Sequence, residues 1–193
     1  MDEKEKEELL KKIEEYTKKI EEEPGNAFYS NKRGNAFYDL KEYEKAINDY
    51  SQAISLNSEE PVYYSNRGGT YYDLKEYENA IEDYNKAIEL VPNNASYWNS
   101  RGDAYYFLKT YEKAIENYSH AISLNSEKGL YFYNRGISYY NLKEYENAIE
   151  DYNKAIELDS NDASYWNNRG NTYYNLKEYE KAINDYSQAI SLN

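Results

Sequence analysis

Residues 77–90, Tyr-Glu-Asn-Ala-Ile-Glu-Asp-Tyr-Asn-Lys-Ala-Ile-Glu-Leu, decide the fold. Tyr77, Ala80, Ile81, Tyr84, Ala87 and Ile88 follow one another at steps of 3, 1, 3, 3 and 1, which lays them along one stripe of an α-helix with charged and amide side chains opposite. A strand would need alternation, and none occurs. Val91-Pro92-Asn93-Asn94 ends the run, because proline cannot continue a helix and asparagine accepts turn conformations. Upstream, Tyr64, Gly68, Tyr71 and Tyr72 form a second helical face that breaks at Asp73-Leu74-Lys75-Glu76. The stretch 61–94 therefore reads as two helices joined by a short turn.

The same pattern recurs along the chain. Arg-Gly appears at Arg33-Gly34, Arg67-Gly68, Arg101-Gly102, Arg135-Gly136 and Arg169-Gly170, each 34 residues after the last. Ala46, Ala80, Ala114, Ala148 and Ala182 keep the step, as do Ala53, Ala87, Ala121, Ala155 and Ala189. So do Tyr43, Tyr77, Tyr111, Tyr145 and Tyr179, and Tyr50, Tyr84, Tyr118, Tyr152 and Tyr186. Residues 40–57 return unchanged at 176–193, and 74–90 return at 142–158. A fixed period of this length is the signature of a repeat architecture. The small columns predict close helix crossings, with Gly68 and Ala80 inside a hairpin and Ala87 toward the next.

Composition narrows the function classes. The chain has 193 residues, no cysteine, one histidine and 27 tyrosines. Without cysteine there is no disulfide framework, thiolate metal site or cysteine nucleophile. The formal charge of −13 argues against a general nucleic-acid binder, which needs a basic stripe. No apolar run approaches the roughly 20 residues that cross a bilayer, and the start, MDEKEKEELLKK, lacks the basic tip and apolar stretch of a secretory signal. These features predict a soluble, cytoplasmic protein without cofactor or metal. His120 has no second histidine or cysteine to work with, and the carboxylates repeat as solvated faces, so the sequence predicts no catalytic site.

The repeated unit resembles the tetratricopeptide repeat. The columns that carry the resemblance are, in one unit, Tyr64, Gly68, Tyr71, Ala80, Tyr84, Ala87 and Pro92, with Trp98 and Trp166 as first aromatics elsewhere. Departures are Ser30 for the first aromatic, Ser58, Ser126 and Ser160 for the proline, and Arg before the glycine throughout. The resemblance covers 27–193 as five units: 27–60, 61–94, 95–128, 129–162 and 163–193. It implies an all-α, right-handed solenoid of stacked hairpins whose first helices line a concave groove for peptides or partner proteins. Residues 1–25, with Leu9, Ile13, Tyr16 and Ile20 in one stripe and lysines (Lys12, Lys19) where the repeats have alanine, read as an N-terminal capping helix.

Carried over residue by residue, the resemblance places Tyr38, Tyr72, Tyr106, Tyr140 and Tyr174 in the groove. Asn31, Asn35, Asn66, Asn99, Asp103, Asn134, Asn168 and Asn171 flank them. Amides offer a donor and an acceptor and suit an extended backbone, while tyrosines add apolar area at low entropy cost. The acidic background favours a neutral or basic protein or peptide partner. The family's clamp for C-terminal carboxylates is not expected: Asn35 and Asn66 match its asparagines, but its cationic places are Asn31, Ser96 and Ser100. The arginine column is expected to pair inside each hairpin with Asp49, Asp83, Asp151 and Asp185, Asn117 being the exception. At the far end Ile183, Tyr186, Ala189 and Ile190 would normally receive another helix, so end-to-end self-association into a homo-oligomer is a second expectation. A scaffold array without a ligand of its own is the alternative, and both duplication in an AT-rich genome and engineering fit such near-identical units.

Overall fold

The computed structural model describes residues 2–192. Among them are eleven α-helices and no strand: α1 (Glu3–Glu22), α2 (Ala27–Asp39), α3 (Tyr43–Leu56), α4 (Pro61–Asp73), α5 (Tyr77–Leu90), α6 (Ala95–Phe107), α7 (Tyr111–Leu124), α8 (Gly129–Asn141), α9 (Tyr145–Leu158), α10 (Ala163–Asn175) and α11 (Tyr179–Ser191). No described helix is long and apolar enough to cross a membrane. The chain divides into two compact units, Met1–Pro92 and Asn93–Asn193.

In the first unit α2 pairs with α3 and α4 with α5; α1 covers α2, α3 packs on α4, and α2 touches α4. In the second unit the hairpins are α6–α7, α8–α9 and α10–α11, with α7 on α8, α9 on α10, and first helices again in contact with first helices. Each unit is thus two layers, one of first helices and one of second helices. Starts are capped by Asn26, Asn94 and Asp162, whose side chains accept the N–H of Phe28, Ser96 and Ser164, while Pro61 opens α4 where its missing N–H costs nothing.

The turn inside every hairpin is closed by a left-handed lysine: Lys41, Lys75, Lys109, Lys143 and Lys177 have φ between 59° and 64°. In the first, the Lys41 N–H donates to the Tyr38 carbonyl at 2.8 Å and the Glu42 N–H to that of Phe37 at 2.9 Å. A side chain in this conformation costs about 1 kcal/mol, so the closed turn is obtained against local preference.

Three sets of contacts bind the layers. The first is the glycine column. A Cβ on Gly136 would stand 2.8 Å from Cε1 of the Tyr152 ring, and one on Gly102 would stand 2.7 Å from that of Tyr118. The glycine is there because a tyrosine ring lies flat against its helix; Ala80 and its equivalents are buried beside it. The second is the arginine column. Arg67 holds Asp83 through Nε and Nη2 at 2.8 and 2.7 Å, and its Nη1 donates to Ser51 of the preceding second helix at 2.8 Å. Arg33, Arg135 and Arg169 grip Asp49, Asp151 and Asp185 in the same way and reach Thr17, Ser119 and Asn153. Arg101 donates to Asn117 instead. The third is a tyrosine column that the sequence reading does not single out: Tyr63 fills the space between Ala27 and Ala53, and Tyr165 that between Phe132, Ala155 and Ile156.

Candidate interaction surfaces

The first-helix layer carries the tyrosines expected in a groove. Each leans on the first tyrosine of its own second helix, with ring centroids 5.7 Å apart for Tyr38–Tyr43, 5.6 Å for Tyr72–Tyr77, 5.5 Å for Tyr106–Tyr111, 5.7 Å for Tyr140–Tyr145 and 5.5 Å for Tyr174–Tyr179. The row is therefore held in place by the hairpin turn. Tyr38, Tyr72, Tyr106 and Tyr140 are half-buried, and Tyr174 is exposed.

The amides beside this row are largely engaged within the protein. Asn66 Nδ2 donates to Oδ1 of Asn31 at 2.9 Å and of Asn35 at 3.2 Å, and Tyr50 Oη donates to the same Asn35 oxygen at 2.9 Å. In the second unit Asn134 Nδ2 donates to Asn99 Oδ1 and Asp103 Oδ1, both at 3.1 Å. Asp103 also accepts Tyr118 Oη at 2.7 Å and Asn99 Nδ2 at 3.0 Å. Asn168 Nδ2 donates to Tyr133 Oη and to the Ser164 carbonyl, and Tyr186 Oη donates to Asn171 Oδ1. Asn31 and Asn99 are buried; the others are half-buried. Asn66, Asn134 and Asn168 join one hairpin to the next, Tyr50, Tyr118 and Tyr186 tie Asn35, Asp103 and Asn171 within a hairpin, and the carbonyl oxygens of Asn66, Asn134 and Asn168 face no donor in that network. Burial raises the Asp103 carboxyl to about 6, against the opposing effect of the Tyr118 and Asn99 hydrogen bonds.

The column at 35, 69, 103, 137 and 171 faces the hydroxyl of the tyrosine 15 residues later. Asn35, Asp103 and Asn171 accept it. Gly69 and Ile137 cannot, and the Tyr152 hydroxyl is buried without a partner among the described residues. Burial accordingly drives the Tyr152 phenol well above its ordinary range. Where Gly69 leaves space, a hollow of about 360 Å³ opens in the first unit, lined by Asn35, Tyr38, Asp39, Tyr50, Ser65, Asn66 and Gly69.

The tyrosine hydroxyls of the row differ between the units. Tyr38 Oη donates to the Asp73 carboxylate. Asn141 Nδ2 donates to Tyr106 Oη at 3.3 Å and Asn175 Nδ2 to Tyr140 Oη at 2.8 Å. Each of these amides also donates to a main-chain carbonyl, of Ile137 and Asn171, which can only accept. The amide orientation follows, so Tyr106 and Tyr140 receive a hydrogen bond and keep their own protons to give.

Elsewhere, the four residues expected to self-associate lie on α11. Ile183 and Ile190 are 62% and 75% exposed, Tyr186 is half-buried and Ala189 is buried. Ala163, Ser164, Asn167, Tyr186, Ala189 and Ile190 line a hollow of about 500 Å³. The lone histidine has a packing role: the His120 and Trp98 ring centroids are 3.9 Å apart, and the Arg101 guanidinium carbon lies 4.6 Å from the Trp98 ring centroid.

A tetratricopeptide model described as "TPR repeat" matches residues 34–75, 68–109, 102–143 and 139–177, and one described as "Tetratricopeptide repeat" matches 163–193. Among curated proteins, none matches the chain in sequence. Among solved structures, MamA is similar with a TM-score of 0.78 at 23% identity, over 82% of this chain and 93% of that one. MamA 41-end from Desulfovibrio magneticus RS-1 gives 0.81 at 18% identity, over 86% and 94%. YrrB, described as a TPR protein with an unusual peptide-binding site, gives 0.76 at 24% identity over 92% of both chains. At these identities the likeness is one of fold.

Proposed function

Because the chain belongs to the tetratricopeptide repeat family, whose fold is that of a protein–protein interaction module, we propose that it binds an extended segment of a partner protein along its first-helix layer and catalyses nothing itself. The observation that carries this reading is the first-helix tyrosines, Tyr38 and Tyr72 in the first unit and Tyr106, Tyr140 and Tyr174 in the second. Five half-buried or exposed rings are each braced from behind by a second ring, so little side-chain freedom is lost when a ligand covers them. Tyr106 and Tyr140 add hydroxyl protons suited to peptide carbonyls, and Asn66, Asn134 and Asn168 add carbonyls suited to peptide N–H groups. YrrB's described peptide site lends support by analogy of fold. With a net charge of −13 the segment is neutral or basic, and a cysteine-free acidic chain suits the cytoplasm.

Selection from a random peptide library tests it. Selected peptides bind the chain, and Tyr106→Ala and Tyr140→Ala each weaken them by about tenfold, the loss of one well-packed aromatic contact. If nothing is selected, or if every selected peptide is indifferent to both substitutions, the reading is wrong.

A second reading, self-association through α11, is favoured by one comparison. The sequence 40–57 is identical to 176–193, yet Ile54 packs in the Ala27–Ala53–Tyr63 cluster while its counterpart Ile190 is open. The same surface is covered by α4 in one place and bare in the other. Sedimentation over a concentration series should give a mass that rises and falls back to the monomer in Tyr186→Glu; a constant monomer mass for the unaltered chain rejects this reading.

A further inference from the structure

We propose that the hollow at Gly69 is a subsite for a basic side chain, lysine or arginine, of the bound segment; this rests on the reading of the first-helix layer as a binding surface. The hollow exists because position 69 has no side chain. In the other repeats Asn35, Asp103, Ile137 or Asn171 occupies that place. A Cβ at Gly69 would meet only the Tyr84 hydroxyl, at 3.8 Å, so the glycine is not required by packing; its neighbour Gly68 has Tyr84, Asp83 and a main-chain oxygen within 3.3 Å. A helix interior that keeps a dispensable glycine forfeits helical stability, and what it keeps in return is the space.

The chemistry around that space suits a cation. The walls are the Tyr38 and Tyr50 rings, which would flank an aliphatic stem. Three donors of the lining are spent: Tyr50 Oη on Asn35, Asn66 Nδ2 on Asn31 and Asn35, and Tyr38 Oη on Asp73. Asp39 lines the hollow, and Asp73 stands behind Tyr38. Neither carboxylate is in an ion pair among the described residues. Both are the last residues of their helices, α2 and α4, where the unsatisfied carbonyls already give the helix end partial negative charge. An acid there is unfavourable for the helix alone, and a cation relieves both. The corresponding residues of the second unit are Phe107, Asn141 and Asn175, so the acidic pair is confined to the first.

The test uses the whole chain and two probes, acetyl-Gly-Arg-Gly-amide and the same peptide with citrulline, which keeps the shape and loses the charge. Amide NMR shifts of Ser65, Asn66 and Gly69 report binding. The arginine peptide should move them, the citrulline peptide should bind about fivefold more weakly, as fits one partly exposed ion pair, and added salt should narrow the gap. Gly69→Leu, which fills the hollow, should abolish the shifts; Asp39→Asn, at an exposed position, should narrow the gap between the probes. Equal binding of the two probes, shifts that survive Gly69→Leu, or no shifts at all overturn the proposal. Library peptides that bind without any basic residue would overturn it too while leaving the groove reading intact.

Discussion

In Met1–Pro92 the first helices end on Asp39 and Asp73; in Asn93–Asn193 the same positions are Phe107, Asn141 and Asn175. That substitution reverses the hydrogen bond beneath the tyrosine row. Tyr38 gives its proton to a carboxylate, whereas Tyr106 and Tyr140 receive one from an amide. Tyr38 so stands against negative charge, whereas Tyr106 and Tyr140 keep hydroxyl protons to donate. Meanwhile the contacts that join the layers are nearly the same in both: a bidentate arginine–aspartate pair, a glycine under a tyrosine ring and a fully buried alanine. Near-identical repeats can therefore share an interior and still differ in what they offer a ligand, because one column decides the polarity of the surface.

The largest effect should expose the shared part. Asp83→Ala and Asp151→Ala each leave a half-buried guanidinium without its carboxylate, and each should cost about 3 kcal/mol in urea unfolding. Equal costs are expected from equal burial, 4% and 3% exposed; clearly unequal costs would mean that the interiors of the two units are not built alike.

A smaller effect should separate the units. Burial lifts the Asp103 carboxyl from 3.8 to about 6, so the folded chain holds this proton more tightly than the unfolded one. Stability from this residue is highest below about pH 4, declines as pH rises toward 6 and is flat above. Asp103→Asn, which copies Asn35 and Asn171, should remove that slope and gain up to about 3 kcal/mol at pH 7, less what the Asn99 hydrogen bond contributes, with little gain at pH 4. A gain independent of pH would show that charge is not its cause.

The smallest effect is a change of sign. Tyr152→Phe deletes a buried hydroxyl without a partner and should stabilise by about 1 kcal/mol, whereas Tyr50→Phe deletes a donor to Asn35 and should cost about as much. Thermal melts of the two variants should shift in opposite directions.

Much of this is legible in the sequence. The 34-residue step, the helical stripes and the arginine–aspartate spacing of 16 all follow from periods that repeat without insertion. The use of the amides is not. Asn66 and Asn134 carry the residue type of a peptide grip, but their donors reach the preceding hairpin, across 31 and 35 residues, and only the stacking of hairpins decides that. The Ser51 and Ser119 partners of the arginines have a sequence signal, a small polar residue at a constant step, that is easily taken for solvated surface. The left-handed lysines have none, since lysine is a poor choice for that conformation and the turn forces it.

The cross-layer hydrogen bonds have a kinetic consequence. Within a hairpin they close 15 or 16 residues, and between neighbouring hairpins 16 for the arginine–serine bonds and 31 to 35 for the amides. Closing loops this short costs little chain entropy, and helical proteins of low contact order fold on the order of microseconds to milliseconds. A hairpin can form, open and re-form with the help of its immediate neighbours alone. The chain should therefore unzip by degrees, as repeat arrays do, and amide exchange should run ahead of the rest in α1, which buries no residue, and in α11, where Ile183 and Ile190 are uncovered.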